Sequence, residues 1–291
     1  MYSQISANKR KTWFIMAFFL VILGALGWIV SGLTGTPQFI YLAFVVGGVY
    51  ALIQYFAAAK LALAMNGAHE IQKRDNPRLY RTVENLTIAT GMPMPKIYIM
   101  DDPAPNAFAT GRDPQHAVVC ATTGLLDMMT DSELEAVMAH ELGHVQNYDI
   151  RVMMIVFGLV SAIGFIADMI MHIMWWSGSD DESPNPIFLA LGLLAAILAP
   201  FVAMMVQLAV SRRREYLADS TSALTTRYPD ALISALEKIR DHGSATKRQN
   251  TATAHLFFAS PLKGKSIARL FSTHPPVEDR IKRLREMGAH A

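Results

Sequence analysis

The sequence predicts an α+β protein, mainly helical, that crosses a membrane four times and carries one cytoplasmic domain split by its second membrane hairpin. Three observations point there. The 291-residue chain is 52% hydrophobic and 17% charged, with a mean hydropathy of +0.25, so it is more apolar and less charged than an average soluble protein. Four stretches approach the roughly 20 apolar residues that span a bilayer: about Trp13–Val30, Phe39–Ala59, Val152–Trp176 and Ile187–Val210. Two polar segments, residues 60–151 and 211–291, alternate with the hairpins at 1–59 and 152–210. Neither polar segment looks complete alone, so they are expected to fold together.

The first apolar stretch is too long for a signal-peptide core, shows no small-residue cleavage site and leads straight into the second, so it is expected to be retained. Basic residues set the direction. Lys9, Arg10 and Lys11 precede the first span, Lys60 follows the second, Arg151 precedes the third, and Arg212, Arg213 and Arg214 follow the fourth. The opposite loops, 31–38 and 177–185, hold no Lys or Arg. The positive-inside rule then places both termini and both polar segments of a multi-pass membrane protein in the cytoplasm. Asp168 and His172 fall in the far part of the third stretch, beside Trp175 and Trp176. An interfacial position in that aromatic belt is favoured over a functional intramembrane pair.

In the first polar segment, Asn76-Pro77 reads as an N-cap with proline at the first helical position, and Gly91 with Pro93 ends that helix. Strands are expected at Lys96–Met100, Asn106–Thr110 and Ala117–Thr122, separated by Pro, Gly and Asp turns. Thr130-Asp131-Ser132-Glu133 is a capping box that should start the next helix. In the second polar segment a helix continues from the fourth span. Others are expected near Pro229–Asp241 and Pro276–Met287, with a polar loop over 243–253.

The capping box leads into His140-Glu141-Leu142-Gly143-His144. On a helix, residues four apart share a face about 5–6 Å apart, so both imidazoles reach one ion at roughly 2.0–2.1 Å. Glu141 leans over the same side, placed to take a proton from an attacking water. Gly143 is costly in a helix, about 1 kcal/mol against Ala, and serves either close helix packing or approach to the metal face. A catalytic zinc needs a third protein ligand. The downstream candidates are Glu215, Asp219, Asp241, His242, His255, His274 and Glu278. Glu215-Tyr216-Leu217-Ala218-Asp219 is the strongest: Glu215 would bind the ion while Asp219 accepts a hydrogen bond from a ligating imidazole. The competing reading is a solvated acidic face opposite Arg212–Arg214.

These motifs resemble the gluzincin metallopeptidases, and more closely the HtpX membrane metalloproteases, relatives of the CAAX prenyl proteases. The resemblance covers most of the chain: the four spans, Asn106-Ala107-Phe108-Ala109-Thr110-Gly111, the His140–His144 motif, 211–219, and Ser272-Thr273-His274-Pro275-Pro276 followed by Arg280. It implies a zincin-like protease domain with one Zn²⁺ per chain on His140, His144 and Glu215, and Glu141 as general base. It makes Asp219 the acid behind a ligand, His274 a histidine that stabilises the oxyanion, and Arg280 an arginine near it. The expected substrates are misfolded membrane proteins and unfolded chains. Asn106, Ala107, Phe108 and Ala109 are expected to hold substrate backbone by strand addition or to form an internal strand.

Other classes are weaker. A net charge of +2 with no broad basic face argues against nucleic acid. Residues 259–266 fit only a relaxed P-loop with too little chain after it for a nucleotide-binding sheet. Cys120 sits in an apolar run as a buried strand residue. Glu133, Glu135, Gln146, Asn147 and Asp149 around the motif argue against a site inside lipid. A CAAX-type prenyl protease and a non-enzymatic scaffold or transporter are the alternatives.

Overall fold

The computed structural model describes residues 2–34, 37–159, 212–248, 253–259 and 275–288. Most of the third apolar stretch, all of the fourth, Asp168, His172 and His274 lie outside these residues.

Two long helices open the chain, α1 (Tyr2–Thr34) and α2 (Gln38–Asn66). They contain the first two apolar stretches. Gly67, in the left-handed conformation with φ 70°, ends α2, its backbone N–H returning to the carbonyls of Leu63 and Ala64. Ile15 and Phe19 of α1 pack on Val152, Ile155, Val156 and Leu159 at the start of the third apolar stretch. Tyr50 donates a 2.6 Å hydrogen bond to the carbonyl of Gly158. Among the described residues, no single helix is long and apolar enough to cross a membrane; one pair bent by 40°, Phe44–Tyr50 with Leu52–Asn66, qualifies by length and composition together.

A four-stranded sheet follows: β1 (Ala68–Glu70), β2 (Lys96–Met100), β3 (Ala107–Gly111) and β4 (Ala117–Thr122), in the order β1-β2-β4-β3. The strands at 96–100 and 117–122 fall where the sequence places them, and β3 is shifted by one residue. β4 runs parallel to β2 and antiparallel to β3, so the chain crosses to the edge before returning to the centre. Thr122 holds that crossover, its hydroxyl donating to Ala104 O at 2.7 Å and accepting from Asn106 N at 2.9 Å. α3 (Pro77–Thr90) has the expected cap, Asn76 Oδ1 accepting from Leu79 N at 2.9 Å, and ends at Gly91 with φ 67°. β1 and the short α4 (Thr123–Met128) are additions to the sequence reading; Thr122 caps α4 directly at the end of β4.

The central element is α5 (Asp131–Gln146), which starts from the complete Thr130–Glu133 capping box. From Glu133 to Val145 all its residues except Glu135 are buried, as a helix enclosed on every side requires. It lies against the sheet on one side and against α3, α6 (Arg212–Thr226) and α7 (Pro229–His242) on the others, and α8 (Val277–Gly288) packs on α6 and α7. The Glu133 carboxylate accepts from Ser234 and Lys238 of α7, both at 2.6 Å. A side chain at Gly143 would meet Thr221 at 3.3 Å and Ala218 Cα at 3.4 Å, so this glycine serves the close approach of α6. Cys120 is buried in β4, and burial pushes its thiol far up.

Candidate metal centre

α5 presents His140, Glu141 and His144 on consecutive turns, and α6 brings Glu215 and Asp219 alongside, also one turn apart. His140 Nε2 and His144 Nε2 are 3.2 Å apart. Glu215 Oε2 lies 3.7 Å from His140 Nε2, and Glu215 Oε1 lies 3.6 Å from His144 Nε2. All three side chains are buried. Ligands on a tetrahedral ion at about 2.0–2.1 Å lie roughly 3.3 Å from one another. The triad fits a small divalent ion on both separation and donor chemistry.

Each imidazole is oriented from behind. His140 Nδ1 faces Asp219 Oδ1 at 3.0 Å, and His144 Nδ1 faces Asp149 Oδ2 at 3.1 Å. A carboxylate accepts only, so each Nδ1 is the donor and each Nε2 turns toward Glu215. Asp219 in turn receives a bidentate pair from Arg280, Nε to Oδ2 at 2.9 Å and Nη2 to Oδ1 at 2.6 Å. Arg280 is fully buried, and its guanidinium stacks 4.7 Å from the Phe258 ring. That ring stands edge-on to His140, 4.9 Å between centroids and 90° between planes.

These surroundings set the charges. Burial dominates at His140 and holds its pKa down to about 4, so the imidazole is neutral. At His144 burial pulls the same way, but Asp149, Glu215 and Glu141 outweigh it and raise the pKa to about 9. Burial pushes Glu141 up to about 7, close to the value suited to a general base at neutral pH. The His144 charge, the Ala109 backbone N–H and Arg280 pull it the other way. Burial would raise Asp219, but Arg280 and His140 hold it well below the usual carboxylate range.

Among the other candidates for a third ligand, Asp241, His242 and Glu278 are exposed, and His255 lies 3.1 Å from the carbonyl of Met153. His274 lies outside the described residues. β3 reaches the site, but its outer edge is partly occupied. Phe257 bridges to Phe108, and Phe258 N donates to Ala107 O at 2.8 Å. The Asn106 side chain grips Ala259, Nδ2 donating to its carbonyl at 2.8 Å and Oδ1 accepting from its N–H at 3.0 Å. Sequence reasoning missed Asp149, which it took for part of a charged run after the motif. It also missed Phe258. Asp149 carried a signal, an acid five residues beyond the second histidine; Phe258 carried none.

Residues 73–288 match peptidase family M48. The chain belongs to that family. It is a metallopeptidase, and its buried His140, His144 and Glu215 are the group suited to a metal. M48 relatives match over nearly the full length. The Protease HtpX homolog of Tropheryma whipplei (strain TW08/27) is 53% identical over 288 residues, covering 99% of each chain. That of Dictyoglomus turgidum (strain DSM 6724 / Z-1310) is 43% identical, covering 99% of this chain and 95% of its own. The crystal structure of S. mikatae Ste24p shares the fold, with a TM-score of 0.53 at 20% identity, covering 98% of this chain and 67% of that one.

Proposed function

We propose that this M48 metallopeptidase is a zinc endopeptidase of the cytoplasmic membrane that cleaves misfolded membrane proteins and unfolded chains on the cytoplasmic side. The observation that carries the reading is the convergence of His140, His144 and Glu215 at 3.2–3.7 Å with Glu141 beside them. Zinc is favoured by two imidazoles and a carboxylate in a buried site. When bound, it supplies Lewis acidity toward the scissile carbonyl and acidity to the attacking water.

The protein's own groups do the rest. Glu141 takes the proton of the attacking water and passes it to the leaving amine. Asp149 and Asp219 keep both imidazoles pointed at one place. Arg280 keeps Asp219 ionised. His274 is assigned the oxyanion, following the family motif. Substrate backbone is assigned to the Ala109 end of β3, because Ala107 and Asn106 already hold Phe258 and Ala259. The charge pattern at the four apolar stretches supports the membrane setting, with hairpins at 1–59 and 152–210 and the protease domain in two halves, 60–151 and 211–291. Large apolar side chains exposed along α1 and α2, among them Trp13, Phe14, Trp28, Tyr41 and Leu52, suit a lipid neighbour.

The direct test is metal content and cleavage of an unfolded protein substrate by the parent and Glu215→Ala. We expect one zinc per parent chain, and loss of most metal and cleavage in the variant. A parent without metal, or a variant that keeps both, ends the proposal.

Metal uptake should also depend on pH in a defined direction. Binding needs neutral His144, which is protonated below about 9. Each unit of pH below that value raises the protonated-to-neutral ratio tenfold, so apparent affinity should fall about tenfold per unit. Chelator competition at a series of pH values measures this slope; an affinity that is flat with pH would contradict the assigned protonation.

A further inference from the structure

The turn after α5 is clasped by the N-terminal helix. Asn8 of α1 is buried, and its side-chain Nδ2 donates twice, to Asn147 O and to Asp149 Oδ1, each at 2.8 Å. The other oxygen of the same carboxylate, Asp149 Oδ2, holds His144 Nδ1 at 3.1 Å. Arg214, the residue before Glu215, reaches Asp149 Oδ1 at 3.4 Å. One carboxylate thus touches a triad histidine, the neighbour of the triad glutamate, and a helix more than 130 residues away.

The rest of the turn is held from the same side. Tyr148 has φ 60°, a conformation a bulky aromatic adopts only under constraint. Lys9 of α1 lies 4.6 Å from the Tyr148 ring and Arg151 lies 5.0 Å from it. This turn swings Asp149 back under His144. A purely structural anchor would need only the bond to the Asn147 carbonyl. The second bond goes to the carboxylate that orients the imidazole.

We infer that Asn8 is a positioning residue of the metal centre, acting through Asp149 on His144, so that the tip of α1 is part of the protease's working site. This rests on the metal reading above, and needs no assumption about what surrounds α1.

The test uses the full chain and compares the parent with Asn8→Ala, Asn8→Asp and Thr12→Ala. Thr12 is the control: it is buried on the same helix and, among the described residues, its hydroxyl bonds to the carbonyl of Asn8 and not to Asp149. The readouts are zinc affinity by chelator competition, the visible spectrum of the cobalt-substituted protein, and the melting temperature. Removing a direct hydrogen-bond partner of a ligand typically costs about 10–100-fold in metal affinity, so one bond further out Asn8→Ala should cost roughly 3–10-fold. Asn8→Asp keeps the volume and replaces both donors with an acceptor facing Asp149, so it should weaken zinc at least as much and shift the cobalt spectrum. Thr12→Ala should bind zinc within about twofold of the parent. If both Asn8 variants bind zinc like the parent with superimposable cobalt spectra, or if Thr12→Ala matches their loss, Asn8 has no positioning role. A parent that takes up no metal overturns the metal reading, and the inference with it.

Discussion

Glu141→Gln is expected to lower kcat/KM on an unfolded protein substrate by about 10²–10⁴-fold, the usual range for a lost general base, while one zinc per chain remains. Two roles are separate on α5. His140, His144 and Glu215 form the ion-sized group, and Glu141 is not among its atoms. Glutamine is nearly isosteric, so the helix and β3 should stay in place. It cannot accept a proton from water. Metal content and steady-state cleavage on the same preparation decide the matter. A variant that retains parental turnover would remove Glu141 from the mechanism, and one that loses its metal would make the residue a determinant of binding instead.

Asp219→Ala should have the largest effect on stability. It removes the bidentate partner of Arg280, which is left charged with 1% of its surface exposed. Breaking a buried pair from one side typically costs about 3–5 kcal/mol. His140 would also lose the acceptor that fixes its Nδ1–H, at roughly 10–100-fold in metal affinity. The two losses can be separated. In Asp219→Ala/Arg280→Met the uncompensated charge is gone, so much of the stability should return while zinc affinity stays low. Thermal melts and chelator competition on both variants measure this. Recovery of affinity along with stability would mean that Asp219 acts only as a counter-ion.

These expectations draw on parts of the protein that differ in how far the sequence exposed them. The Thr130–Glu133 capping box, the Asn76 cap and the strands at 96–100 and 117–122 stand where local reasoning places them. Each depends on neighbours within a few residues. β1 escaped notice because three residues with an exposed face carry no alternation. α4 did so because a six-residue helix capped by the last strand residue has no room for a periodic pattern.

The four-residue spacing of His140 and His144 was determined by the sequence alone, because helix geometry puts any such pair on one face. The same holds for the pairing of Glu215 with Asp219 on one side of α6. Only tertiary structure decided that α6 lies against α5 with Glu215 between the imidazoles, and that Gly143 serves this approach. It also decided that β3 sits at the edge outside β4, that Phe257–Ala259 covers one end of that edge, and that Asp149 turns back beneath His144 under the hold of Asn8. The reason is physical. Local hydrogen bonding and periodicity settle within one or two helical turns, whereas these contacts join groups separated by tens to more than a hundred residues and exist only once the whole core has closed around them.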